Sequence, residues 1–229
     1  MPLIQCSCEG CELKNLFFEN VSNLEIELMC TKKIENTFKK GTYILKEGEE
    51  IKEFTYLKSG LVKLFKHSGH DKEQIICFSG PLDFVSLLSL FSESKYHYSV
   101  VALEDSVTCS LQLDEVRNMA ETNGKFALSM IKKINKASDK IIMEMLELKQ
   151  KRLFGRIAYI LIFFYEKVYF SLSFELPVSR KEIAEFIGMT IENVIRTLSD
   201  LRKDGIIKIY GKTIEIVDIE RLKKIKELS

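Results

Sequence analysis

A change of hydrophobic period divides this chain and restricts the folds open to it. From residue 38 to residue 115 the sequence runs as short β-branched and aromatic stretches separated by turn residues: TYIL, FTYLKSGLVKLF, EQIICFSG, YSVVAL and SVTCSLQL. Such runs, punctuated by Gly41, Gly48, Gly60, Gly69 and Gly80, predict an antiparallel β domain, with a short helix at Leu87 to Phe91. From Lys125 to Lys149 the period becomes helical: Met130, Ile134, Ala137, Ile141, Met145 and Leu148 recur at three- and four-residue spacings. That stripe is either the face of a helix packed on its own β domain or the seam of a coiled coil. A stripe of such length leaving a compact β domain favours the seam, hence a symmetric dimer. A second, mostly apolar helix follows over Arg152 to about Val168, and IIKIYGKTIEIV closes as two strands around Gly211.

Composition narrows the classes further. With 229 residues, 46% hydrophobic residues and 11 glycines, the chain is ordinary globular material for one large domain or two modest ones. Its longest apolar run, Ile157 to Tyr165, is bounded by Arg156 and Glu166 and falls short of the roughly 18–20 residues that a membrane span requires. The opening MPLIQCSCEGCEL lacks a basic start followed by an apolar stretch, so it is not read as a secretory signal. A cytoplasmic protein is predicted, its six cysteines reduced or metal-bound. The net charge is only +1, but residues 151–229 hold 15 Lys and Arg against 11 Asp and Glu, while residues 1–150 hold 19 against 22. That asymmetry would place a polyanion on the C-terminal part.

The stretch VSRKEIAEFIGMTIENVIRTLSDLRKDG, residues 178–205, carries the most local instruction. Ser179 and Glu182 stand at capping-box spacing, so a helix starts at Arg180, with Ile183, Ala184 and Ile187 as its apolar face. Gly188 tolerates positive φ, and Thr190 can cap a second helix that buries Val194, Leu198 and Leu201. An αα-hairpin packed for stability alone would also satisfy this pattern. Small Ala184 at the crossing, Gly188 in the turn and Val194 on the second helix have the spacing of a DNA-binding helix-turn-helix, and the hairpin after Ile206 supplies a wing. The outward side of the second helix then carries Ile191, Glu192, Ile195, Arg196 and Ser199 as candidate base readers. Arginine donates two hydrogen bonds to guanine, glutamate accepts from cytosine and isoleucine touches a thymine methyl; one good base contact gives roughly 1–3 kcal/mol of discrimination. Glu192 and Arg196, one turn apart, would also orient each other as an ion pair. Ser179, Arg180 and Lys212 are candidate phosphate contacts, and Thr190 lies at the N-terminus of the reading helix.

Taken together, an antiparallel β domain, a long dimer helix and a winged helix-turn-helix resemble the Crp/Fnr family of bacterial transcription regulators over nearly the full chain. FKKGTYILKEGEEIKEFTYLKSGLVKLF looks like a cyclic-nucleotide-binding β-roll, and SRKEIAEFIGMTIENVIRTLSDLRKDGII looks like that family's DNA-reading unit. The resemblance implies an α+β fold: a cysteine-containing segment 1–20, a β-roll sensor domain 21–123, a dimerisation helix 124–150 and a winged helix-turn-helix 151–229. It also implies a regulator, not an enzyme, acting as a homodimer on a palindromic double-stranded DNA site and contacting RNA polymerase through surface loops such as that around Lys66 to Lys72. The family's base-contacting pattern is Glu, two residues, Ser or Gly, then Arg; Glu192 and Arg196 match it and Ile195 departs from it.

The resemblance also frames the signal. Members that bind cyclic AMP hold its phosphate with a glutamate and an arginine; here Leu87 stands near the first position and Tyr98 precedes Ser99 in place of the second. A buried phosphate without the arginine is costly, so cyclic AMP is not expected. The oxygen-sensing branch holds a [4Fe–4S] cluster with several N-terminal cysteines and one in the β-roll, and Cys6, Cys8, Cys11 and Cys109 resemble that set, though with tighter N-terminal spacing. The residues leave three outcomes open: a cluster, zinc or a thiol switch, and a reduced N-terminal tail with Cys30, Cys77 and Cys109 as small buried hydrophobes. Haem, which some relatives hold in the β-roll, would draw on His97 among the histidines His67, His70 and His97.

Overall fold

The computed structural model describes residues 21–22, 32–69, 72–83, 85 and 90–228. Seven strands come first: β1 Ile34–Phe38, β2 Tyr43–Leu45, β3 Glu53–Ser59, β4 Val62–His67, β5 Glu73–Ser79, β6 Ser99–Ala102 and β7 Ser106–Gln112. They form two sheets, one in the order β1-β7-β3 and one in the order β2-β6-β4-β5. Helices α1 Leu113–Thr122 and α2 Gly124–Gln150 follow. The predicted helix at Leu87 to Phe91 falls mostly on residues outside those described. Two compact units emerge: one holds the described residues up to Lys66 together with Phe78–Lys140, and the other holds His67–Cys77 and the chain from Ile141 onward. The division falls inside α2, at 140/141, within the segment 124–150 expected as the dimerisation helix.

In the first unit the alternation of β3 and β7 builds the core. Tyr56 stands opposite Cys109 and Phe54 opposite Leu111, and all four side chains turn to one face. That face is covered by Leu113, Val116 and Met119 of α1, by Phe126 and Met130 of α2, and by Val21. Burying each large apolar side chain contributes roughly 1.5–3 kcal/mol, so this layer fixes the start of α2 to the sheet. The opposite face of the same strands carries Thr55 and Ser110, whose hydroxyls lie 2.9 Å apart, and Thr108. Gly60 closes the β3–β4 turn with φ 98°; a Cβ there would meet the Ser106 hydroxyl and lie 2.7 Å from Ser106 Cα and 2.8 Å from the Asp105 carbonyl. Both its conformation and its space require glycine.

Helix α2 has two apolar stripes. The one expected as a dimer seam is largely occupied within the subunit: Met130 and Leu148 are buried, Ile134, Ala137 and Ile141 half-buried, and only Met145 is exposed. Met130 cannot serve a partner while it fills the layer beneath Cys109. Leu128, Ile131, Ile142, Met143 and Leu146 lie exposed on the same helix.

The second unit is organised around α3 Leu153–Phe163, on which every side chain from Ile157 to Ile162 is buried. Its expected continuation to Val168 is present, but residues Phe164–Tyr169 widen into a π-helix that ends at Phe170 in the left-handed region. Aromatic packing accompanies that widening: Tyr169 stacks on Phe174 at 5.3 Å between centroids, and Phe164 lies 6.3 Å from the same ring. Strand β8 Ser173–Glu175 leads to α4 Arg180–Ile187, α5 Ile191–Lys203, β9 Ile207–Tyr210, β10 Thr213–Ile216 and α6 Ile219–Leu228. The sheet order β8-β10-β9 makes the expected hairpin around Gly211 part of a three-stranded sheet.

Candidate nucleic-acid interface

Local sequence sets the interface almost atom by atom. The Ser179 hydroxyl accepts from the Glu182 amide at 3.2 Å, and the Glu182 carboxylate accepts from the Ser179 amide at 2.8 Å, a complete capping box. Helix α4 ends at Gly188, whose φ of 65° and ψ of 47° place it in the left-handed region. Two residues later Thr190 caps α5, its hydroxyl accepting from the Asn193 amide at 3.3 Å. Ile183, Ala184 and Ile187 of α4 are buried together with Val194, Leu198 and Leu201 of α5, the faces expected from the spacing.

Burying that face turns the other side of α5 outward. Ile191, Glu192, Ile195 and Arg196 are exposed, Ile195 by 53%, and Ser199 is half-buried. An isoleucine of that exposure at the centre of a polar helix face gains nothing from the fold. Ser179 and Lys212 are exposed, Lys212 in the turn of the β9–β10 hairpin, and Arg180 is half-buried; burial lowers its pKa from the ordinary arginine value without discharging it.

One expectation is corrected. Glu192 and Arg196 do not pair: the Arg196 Nη2 donates to Asn193 Oδ1 at 2.8 Å. The Glu192 carboxyl is held below the usual glutamate range by its own backbone amide, with a smaller contribution from the Thr190 hydroxyl. A carboxylate in the first turn is drawn to the positive helix end, which leaves the arginine to the amide oxygen three residues before it. Asn193 is thus a candidate position that the spacing rule overlooked, since it holds the Arg196 guanidinium. Tyr210 is another: it ends β9 beside the turn at Gly211, is 60% exposed and carries a hydroxyl suited to a phosphate oxygen. Its signal was the Tyr-Gly-Lys run at the hairpin tip.

The candidate signal residues are placed less completely. Cys6, Cys8, Cys11 and Cys30 lie outside the described residues, as does Leu87. Cys109 is fully buried on β7, opposite Tyr56 and Glu35, and Cys77 is buried on β5. Among the described residues no group of three or more His, Cys, Asp or Glu side chains converges. His97, expected on the ligand side, has its side chain 61% exposed, with Nε2 3.6 Å from Glu93 Oε1. Tyr98 and Ser99 are buried, and the Ser99 hydroxyl accepts from the Glu47 amide at 3.0 Å. No helix among the described residues is long and apolar enough to cross a membrane.

Comparison with known proteins agrees with this geometry. Residues 35–123 match the model of the cyclic nucleotide-binding domain, and residues 155–225 match the Crp-like helix-turn-helix domain. The chain is 26% identical over 226 residues to the transcriptional activator protein anr of Pseudomonas aeruginosa, covering 94% of this chain and 91% of the relative. It is 25% identical over 223 residues to the anaerobic regulatory protein of Pasteurella multocida, covering 94% and 81%. The structure of FixK2 from Bradyrhizobium japonicum superposes with a TM-score of 0.74 at 22% identity, over 86% of this chain and 98% of that one.

Proposed function

Because this chain belongs to the Crp/Fnr family of transcription regulators and is not an enzyme, we propose that it acts in the cytoplasm as a homodimer that reads a palindromic DNA site through the outward face of α5. The supporting observation is that face itself: Glu192, Ile195 and Arg196 stand exposed on a capped helix whose other side is buried. Arg196 is the guanine reader, Glu192 accepts from cytosine and Ile195 meets a thymine methyl. Ile191 and Ser199 border them, while Ser179, Arg180, Thr190 and Lys212 carry phosphates at the helix N-termini and the wing. Two such helices related by a dimer axis enter successive major grooves about 34–36 Å apart. RNA polymerase is a further partner, met by surface loops of the β domain such as Lys66 to Lys72.

Arg196→Ala should cost roughly 1–3 kcal/mol on the specific site and relax base preference there, whereas Lys212→Ala should weaken all duplexes alike and lower the salt slope by about one. Equal losses of Arg196→Ala on specific and random duplexes would remove Arg196 from the readout.

The signal is of the redox, oxygen or nitric-oxide kind and not cyclic AMP. The anaerobic regulatory protein among the relatives supports this reading. So does the position of Cys109, which shares its buried layer with Val21, ten residues beyond Cys11. Ten extended residues reach up to roughly 33–36 Å, ample for Cys6, Cys8 and Cys11 to join Cys109. Four thiolates are the donor set of a [4Fe–4S] cluster, which would supply reactivity toward oxygen. Cys109 lies one layer from Phe126 and Met130, so any change at its sulfur bears directly on the start of α2. A second reading, an unidentified small ligand in the β domain, is favoured by one observation: the buried Thr108 hydroxyl has no hydrogen-bond partner among the described residues. Iron and acid-labile sulfide assayed on protein purified without oxygen separate the two. Near-stoichiometric amounts lost in Cys109→Ser support the cluster, and metal-free protein that still binds DNA supports the ligand.

A further inference from the structure

Resting on the reading of α5 as the DNA-reading helix, we propose that Arg156 is its positioning residue, tying the end of α2 to the turn that aims α5. Arg156 sits in the first turns of α3, and its guanidinium donates in two directions. Nε donates to the Lys151 carbonyl at 2.8 Å, just past the last residue of α2. Nη1 donates to the Ile187 carbonyl at 2.9 Å and lies 3.4 Å from the Gly188 carbonyl. These last two are carbonyls that the end of α4 leaves without a helical donor, at the negative end of its dipole. A planar fork of fixed geometry suits both ends at once, which a lysine ammonium on a flexible stem does not.

Neither anchor is loose. On one side, the Lys151 ammonium donates to the Lys226 carbonyl of α6 at 2.5 Å and lies 3.4 Å from Glu147, and Lys226 also lies 3.4 Å from Glu147. The Lys226 ammonium stands over the Tyr159 ring at 5.3 Å. The Lys151 carbonyl is therefore carried by the last turn of α2 and by α6 together. On the other side, the Met189 amide donates to the Ala184 carbonyl at 2.9 Å, and Thr190 caps α5 immediately afterwards. A guanidinium holding Ile187 thus sets where α5 begins. This side chain thus links the last turn of α2 to the start of the reading helix.

The test compares wild type, Arg156→Ala and Arg156→Lys on two probes: a duplex selected by the wild-type protein from a random pool, and a scrambled duplex of equal length. Arg156→Ala should lose about tenfold or more on the selected duplex and under twofold on the scrambled one, while circular dichroism and the unfolding midpoint report a folded protein. Arg156→Lys should fall between the two, and amide exchange at Met189 and Thr190 should quicken in both variants. A selected-to-scrambled ratio within twofold of wild type in a folded variant overturns the proposal. So does a loss on both probes in proportion to the unfolded fraction, which is what a purely structural role would produce. Should Arg156→Ala fail to fold, the ratio measured for Arg156→Lys decides by the same criterion. Wild-type protein that enriches no sequence would instead overturn the reading of α5, and this proposal with it.

Discussion

Phe170 holds φ 50° and ψ 31° at the end of the π-helix, with 77% of its surface in water. A left-handed backbone costs an L-residue roughly 1–2 kcal/mol, and little burial offsets it here. Phe170→Gly should therefore stabilise the second unit by up to about 1 kcal/mol, read as a raised urea midpoint with unchanged m; a lowered midpoint would give the ring a packing role. Ser179→Ala works in the other direction: it removes the acceptor of the Glu182 amide and should cost about 1 kcal/mol, with α4 losing amide protection before α3 does. Single residues also mark where sequence spacing ceases to inform. The capping box at Ser179 was legible because both its partners lie within four residues. The Glu192 and Arg196 pair was expected on equally local grounds but is absent, because three local forces compete there and a spacing rule weighs only one. Arg156 gave no signal at all, since its acceptors at Ile187 and Gly188 lie more than 30 positions away.

At the scale of the element, α2 is the informative case. The half-buried stripe has three- and four-residue spacing throughout, whereas Leu128 and Ile131 are separated from Ile142, Met143 and Leu146 by polar residues on their side of the helix, so periodicity marked the first and not the second. Packing places them: Phe126 and Met130 are drawn under the β sheet, and Leu128, Ile131, Ile142, Met143 and Leu146 are left outward. Changing both Ile131 and Ile142 to Glu should shift the protein to monomer in sedimentation and abolish binding to a palindrome, because two charges enter each side of an apolar seam. A dimer unchanged by those substitutions would assign the seam to the half-buried stripe of Ile134, Ala137 and Ile141. The helix-turn-helix poses no such ambiguity, since Gly188 and the two caps fix its direction before any distant contact forms.

For the molecule as a whole, the class of fold was readable because the period changes once, from strands to helices, and each part has its own punctuation. The boundary between the units was not readable: it falls at 140/141, inside a helix without a break in pattern, because chain separation depends on contacts far apart in sequence. The proposed function has two readers acting together on the palindrome. A duplex carrying one half-site should bind at least about 100-fold more weakly than the palindrome, since the second contact gains only through effective concentration; equal affinities measured at matched salt would contradict a dimer on DNA. Gly60 has a consequence for the lineage as well as for the fold. With Ser106 Cα at 2.7 Å and the Asp105 carbonyl at 2.8 Å from any added carbon, none of the nineteen alternatives fits, whereas Gly41, Gly48 and Gly69 have open space beside them. In a library of random variants selected for repression or activation of a reporter, codon 60 should return as an island of silence, its only surviving changes synonymous ones.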